Sequence, residues 1–196
     1  MHLEAVDTVG VVGAGTMGNG IAQVAATAGY DVVMRDVSEE LVAAGFDDIQ
    51  ASFERLIARK TVTEQKAESA RARITGTTEM DDLAGADLVV EAVTEDMEIK
   101  QSVFEELDAV CGPDAVLASN TSTLSITTIA SATDRPGQVL GLHFMNPVPV
   151  MKGVELVVGE KTSDETVTLG RAFAHDIGKE TWAADDKPGF VVDRVQ

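Results

Sequence analysis

The chain has 196 residues, 44% of them hydrophobic, and a single cysteine, Cys111. That is enough to bury a core without disulfides; an intramolecular disulfide is excluded, and a reducing, cytoplasmic setting is the expectation. Asp and Glu number 33 against 15 Lys and Arg, a formal net charge of −18. This is the wrong sign for a phosphate backbone, so nucleic acid is not an expected partner. No apolar run approaches the roughly 20 residues that span a bilayer, and the first residues lack the basic flank and apolar stretch of a secretory signal. No membrane association is expected.

The acidic excess is spread over helix surfaces rather than gathered in a tail. It reads as a solvated acidic surface of the kind a salt-rich, halophilic cytoplasm favours, because charge repulsion is screened over about 3 Å at 1 M salt. An ordinary acidic protein is the alternative.

Taken in chain order, Val6 to Val12 is an apolar run ending at Gly13 and reads as a buried strand. Thr16 to Ala28 is rich in alanine and reads as a helix closed by Gly29. Asp31 to Met34 is a second β-branched run, ending at Arg35 and Asp36. Strand, tight turn, helix and strand make a βαβ unit, which implies a parallel sheet. Ser38 caps a long helix through Arg59, with Glu39 and Glu40 in its acidic first turn. A charged helix follows over 63–73, then a buried strand over 88–93, a helix over 96–110 and a strand over 115–118. A short helix is expected over 126–131, strands over 139–143 and 154–158, and a helix over 164–177. The alternation predicts a doubly wound α/β fold: a mostly parallel, Rossmann-type sheet with helices on both faces. Pro188 and Gly189 then mark a turn before a new apolar segment. The expected organisation is one dinucleotide-binding domain over 1–186, with 187–196 opening a C-terminal helical domain.

Gly13, Ala14, Gly15, Thr16, Met17 and Gly18 fit G-x-G-x-x-G between the first strand and the first helix. The first glycine allows the turn, the second lets backbone approach a pyrophosphate, and the third lets helix pack on strand. The helix N-terminus offers free N–H groups to the phosphates. Asp36 ends the second strand about 20 residues on, where a carboxylate accepts the ribose hydroxyls of NAD and repels the extra phosphate of NADP. Arg35 could accommodate that phosphate, but NAD is the favoured cofactor. A glycine turn needed only for packing is the competing reading.

Ligands in such sheets sit beyond the carboxyl ends of the strands, and three polar clusters fall there. They are Ser119 to Ser122, His143 to Asn146, and Glu95 with Lys100. The first could be a plain helix cap and the third a solvated helix start. At the second, Pro147 and Pro149 bend the chain so that its return brings Glu155 beside His143. A carboxylate partner fixes the tautomer of an imidazole and raises its basicity, as a base that takes the proton of an alcohol requires. No metal-ligand set is read from the sequence.

These residues, together with Ile21 to Val24, Gly141 to Lys152 and Pro188 to Val192, resemble the L-3-hydroxyacyl-CoA dehydrogenases, 3-hydroxybutyryl-CoA dehydrogenases included. The resemblance implies NAD-dependent, reversible oxidation of a 3-hydroxyacyl-CoA to the 3-oxoacyl-CoA. It makes His143 the general acid–base group, Glu155 its partner and Ser122 a donor to the substrate oxygen near the nicotinamide. It puts Asn146, Glu95 and Lys100 at the nicotinamide end, and Ser52 and Arg59 at the CoA. Asp193 stands where the family has an asparagine that touches substrate, which loses an amide donor. The family continues into an all-helical domain that closes the cleft and carries a homodimer contact. The chain is expected to lack that domain and so to turn over poorly by itself. Two other readings are a gulonate-type polyol or sugar-acid dehydrogenase and, outside enzymes, a non-catalytic NAD-binding or structural protein.

Overall fold

The computed structural model describes residues 3–187, and the calls on 188–196, Asp193 among them, lie outside these. The first β-strand, β1 (Thr8–Val12), leads into helix α1 (Thr16–Ala28) and strand β2 (Asp31–Arg35). Gly29 ends α1 with φ 117°, a left-handed conformation that glycine adopts without steric cost. Helices α2 (Glu39–Ala58) and α3 (Glu64–Arg71) follow, then strands β3 (Ile74–Thr77) and β4 (Leu88–Glu91). Helix α4 (Met97–Val110), strand β5 (Val116–Ser119) and the short helix α5 (Ile126–Ala130) come next. Strands β6 (Val139–Phe144) and β7 (Gly153–Val158), helix α6 (Asp164–Asp176) and strand β8 (Glu180–Asp185) complete the described chain.

The helix starts obey their capping chemistry. The Ser38 hydroxyl accepts from the Leu41 N–H, Asp96 from Ile99 and Ser163 from Thr166, each cap contributing about 1 kcal/mol. Strands β1, β4, β5 and β6 are buried on both faces, so they read as near-continuous apolar runs with a polar residue only at or near an end.

The eight strands form one sheet in the order β3-β2-β1-β4-β5-β6-β7-β8. All neighbouring pairs are parallel except β6 with β7, which is antiparallel. The order reverses at β1, whose neighbours are β2 and β4, so a crevice opens there at the carboxyl ends of the strands. One core lies under α1, α2, α3 and α6 and includes Val9, Ile21, Phe53, Leu140 and Phe173. The other lies under α4 and α5 and includes Phe104, Leu107, Leu117, Ile126 and Val157. The expected doubly wound fold with helices on both faces is the one observed.

Two strands are additions to the sequence reading. β3 is four residues long and contains Gly76, where a Cβ would strike Val42 at 2.5 Å and Phe46 at 2.6 Å. The glycine is required by α2 lying across it, and the same glycine weakens the strand signal. β8 is an edge strand with mostly exposed residues, so it shows no apolar run. Boundaries also shift: β1 begins at Thr8 rather than Val6, β4 stops at Glu91 rather than Val93, and α3 spans 64–71 rather than 63–73. Among the described residues no helix is long and apolar enough to cross a membrane.

Candidate active site

The glycine loop leaves β1 at Gly13, whose φ of 101° places it in the left-handed region. A Cβ there would lie 2.7 Å from the Ala92 carbonyl oxygen at the end of β4. At Gly18 a Cβ would lie 1.7 Å from the Gly13 carbonyl oxygen, so the first turn of α1 rests directly on the loop. Gly15 differs: nothing lies within 4 Å of a Cβ there, and Gly15 and Thr16 face solvent at the start of α1. Two of the three glycines are thus needed for packing, while the third keeps a backbone cradle open where a helix N-terminus presents its N–H groups. This open cradle fits the pyrophosphate of a dinucleotide.

Asp36 stands beside it. One carboxylate oxygen accepts from the Ala14 N–H at 2.7 Å and the other from the Val37 N–H at 2.7 Å. The carboxylate is therefore fixed against the loop, next to Ala14 and one residue from the cradle. Arg35, which could have served a 2′-phosphate, turns its Nε to the Thr78 carbonyl at 3.1 Å.

The second group gathers at the ends of β4 and β5. Glu91 is fully buried and accepts from Lys100 Nζ at 2.6 Å, Ser119 Oγ at 2.6 Å and the Val93 N–H at 2.7 Å. Lys100 is buried too, and its ammonium also donates to the Val93 carbonyl and lies 3.5 Å from Glu95. Lys100 therefore addresses the cleft through Glu95 and not by an exposed ammonium. Glu95 accepts from the Thr121 hydroxyl and from the N–H groups of Ser122 and Thr123 at 2.9 and 3.0 Å. Partial burial works against its charge, but the Thr121 hydroxyl, Lys100 and the two N–H groups hold its carboxyl below the usual range.

The third group lies beyond β5 and β6. The antiparallel register pairs His143 with Glu155. His143 Nδ1 is 2.7 Å from Glu155 Oε2, and its Nε2 is 3.1 Å from Ser122 Oγ. Glu155 is fully buried and His143 is 7% exposed, so among the described residues this line of groups opens toward the cleft at Ser122. Asn120, just before, accepts from the Phe144 N–H and ties the β5 loop to β6.

Asn146 lies beyond the end of β6, exposed on a loop that Lys179 holds through the Val148 and Met151 carbonyls. It lines a groove of about 280 Å³ together with Thr16, Asn19, Asp48, Ser52, Arg55 and Pro147 to Pro149. Ser52 is thus brought to the cleft. Arg59 is not: it ends α2, exposed, and Arg55, one turn earlier, is the cation in the groove. Glu91, Arg55 and Trp182, which donates to Glu155 at 3.3 Å, escaped the sequence reading. Of these only Glu91 carried a signal, as the sole charge in the strand Leu88-Val89-Val90-Glu91.

Residues 8–187 match the family described as 3-hydroxyacyl-CoA dehydrogenase, NAD binding domain. The chain belongs to that family. A 3-hydroxybutyryl-CoA dehydrogenase of Bradyrhizobium diazoefficiens is 47% identical over 187 residues, 95% of this chain and 64% of the relative. A 3-hydroxyadipyl-CoA dehydrogenase of Escherichia coli is 42% identical over 97% of this chain and 40% of its own length. Among solved structures, the (S)-3-hydroxybutyryl-CoA dehydrogenase of Ralstonia eutropha superposes with a TM-score of 0.95 at 45% identity, covering 97% of this chain and 68% of that one. The chain therefore spans about two thirds or less of these relatives' lengths. As an NAD-binding domain of this family it takes NAD as its cofactor, and the open cradle at Gly15 beside Asp36 is where its own residues suit that molecule.

Proposed function

We propose that this chain provides the cofactor-binding and acid–base half of a dehydrogenase acting on 3-hydroxyacyl-CoA, oxidising the hydroxyl to a ketone and reducing it in reverse. The observation that carries the reading is the hydrogen-bonded line Ser122–His143–Glu155 at the carboxyl ends of the strands, on the same edge as the glycine loop.

NAD, held at the glycine loop and Asp36, would supply the hydride acceptor for the carbon that bears the hydroxyl. His143 Nε2 takes the hydroxyl proton, and Glu155 holds Nδ1–H and stabilises the imidazolium that results. Ser122 donates to the substrate oxygen and keeps it within reach of His143. Glu95, kept ionised by Thr121, Lys100 and two backbone N–H groups, fixes the Ser122 loop in place. Asp36 accepts the ribose hydroxyls and repels a 2′-phosphate, which sets NAD over NADP. Ser52 and Arg55 line the approach for the CoA arm, with Arg55 supplying the positive charge that a phosphate needs, and Asn146 at the mouth of the same groove serves the nicotinamide end.

A substrate panel tests this reading. Acetoacetyl-CoA is expected to drive NADH oxidation, while free acetoacetate and small sugar acids are not. Equal rates with and without the CoA arm would remove the substrate assignment and favour a polyol or sugar-acid dehydrogenase.

A further inference from the structure

We infer that Trp182 is a positioning residue for the acid–base pair, holding the far oxygen of Glu155 and so keeping the near one aimed at His143. The inference rests on the reading of His143 and Glu155 as that pair. The sheet sets it up. Glu155 lies opposite His143 on β6 and opposite Trp182 on β8, so the three side chains form one row across adjacent strands, on one face of the sheet. Glu155 Oε2 faces His143 Nδ1 at 2.7 Å, and Glu155 Oε1 accepts from Trp182 Nε1 at 3.3 Å.

The indole has a seat made for it. A Cβ on Gly153 would lie 2.3 Å from Trp182 Cη2 and 2.7 Å from Cζ3. The six-membered ring therefore occupies the space beside Gly153, two residues before Glu155 on β7. Any side chain at Gly153 would displace the ring and with it the N–H. Trp182 is the chain's one tryptophan, and it sits on an edge strand that is otherwise mostly polar or alanine.

The consequence follows from charge. A donor on a carboxylate spreads its negative charge and weakens its pull on a neighbouring imidazolium. The indole N–H therefore draws carboxylate charge toward Oε1, away from the imidazole, and it holds Oε2 aimed at Nδ1. Among the described residues, the charged groups on this side of the sheet include Glu180 on β8, Asp186 just past its end against the start of α5, and Glu91, Lys100 and Glu95 across β5. The variants below leave these in place.

The test is the titration of the His143 imidazole by heteronuclear NMR, its signal assigned by its loss in His143→Ala. Trp182→Phe keeps an aromatic ring and removes the N–H. Its imidazole pKa is expected to rise by about half a unit, the part of one charge-assisted bond that reaches the ring. Gly153→Ala keeps the indole but pushes it aside, and is expected to give a rise of the same sign. Introduced into Trp182→Phe, it is expected to add no further rise. The alkaline-going limb of the rate profile moves with the imidazole. An unchanged or lowered His143 pKa in folded Trp182→Phe and Gly153→Ala would overturn the inference. If instead the shifts appear but His143→Ala retains turnover, the contact stands and the acid–base reading fails.

Discussion

The three glycines of the phosphate loop are separable by experiment, because the structure gives them different neighbours. Gly18→Ala would place a Cβ 1.7 Å from the Gly13 carbonyl oxygen, 2.8 Å from its carbon and 3.4 Å from Val11. Two of these three atoms are backbone, so relief requires α1 to move off β1 by more than an ångström. Overpacking of a tight core costs about 1–3 kcal/mol, and a backbone clash of this depth belongs at the upper end. Gly15→Ala meets nothing within 4 Å, and Gly15 already has φ −68° and ψ −169°, which any residue adopts. Its folded state is unstrained, and its unfolded state loses freedom, so stability is expected unchanged or raised by about 0.4–1 kcal/mol. The same methyl group projects into the cradle for the pyrophosphate. NADH affinity of Gly15→Ala is therefore expected to fall by at least about tenfold, or 1.4 kcal/mol. Urea unfolding followed by tryptophan emission reads the stability, and NADH titration by cofactor fluorescence reads the affinity. Gly18→Ala lowers the unfolding midpoint; Gly15→Ala leaves it in place and loses the cofactor. A Gly15→Ala chain that is destabilised, or that binds NADH like the parent, would refute this division of roles.

Two further predictions concern titrating groups. The carboxyl of Glu95 is held below its ordinary value of 4.5 in the folded chain, so its stabilising contribution is full above that value and is lost as pH falls through the lower, folded value. Acid unfolding of Glu95→Gln is therefore expected to show a shallower pH dependence below about pH 4.5 than the parent, and an identical slope would count against the Glu95 network. Cys111 is buried, and burial pushes its thiol up to about 11. It is expected to resist alkylation by iodoacetamide at pH 8 while the chain is folded and to react on unfolding; prompt labelling of the native chain would contradict its placement under Leu83 and Leu107.

The sequence made the fold legible wherever periodicity was strong. The βαβ opening and the buried strands at 88, 116 and 139 announce themselves through apolar runs, and the Ser38 cap through a serine followed by two glutamates. β3 and β8 did not, since an edge strand needs only one paired side and half-exposed residues carry no apolar run. At the site, the return of Glu155 to His143 was readable because two prolines force a bend and an antiparallel return has only a few registers that bury its apolar face. The role of Lys100 was not, because only the fold shows that its ammonium is enclosed by Glu91 and Val93. Arg55 escaped the sequence reading as well: three residues from Ser52 on the same helix, it lines the groove, whereas Arg59 is the exposed C-cap of α2. Trp182 has no sequence signal at all, since its link to Glu155 exists only through the pairing of β7 with β8.

The most direct test of the account is a single-turnover measurement of NADH oxidation by acetoacetyl-CoA, with the chain in excess over cofactor, in the parent and in His143→Ala. The account predicts that His143→Ala binds NADH as the parent does while its oxidation step slows by about 100-fold or more, the usual weight of a general acid–base group. A His143→Ala chain that oxidises NADH at the parental rate would contradict it.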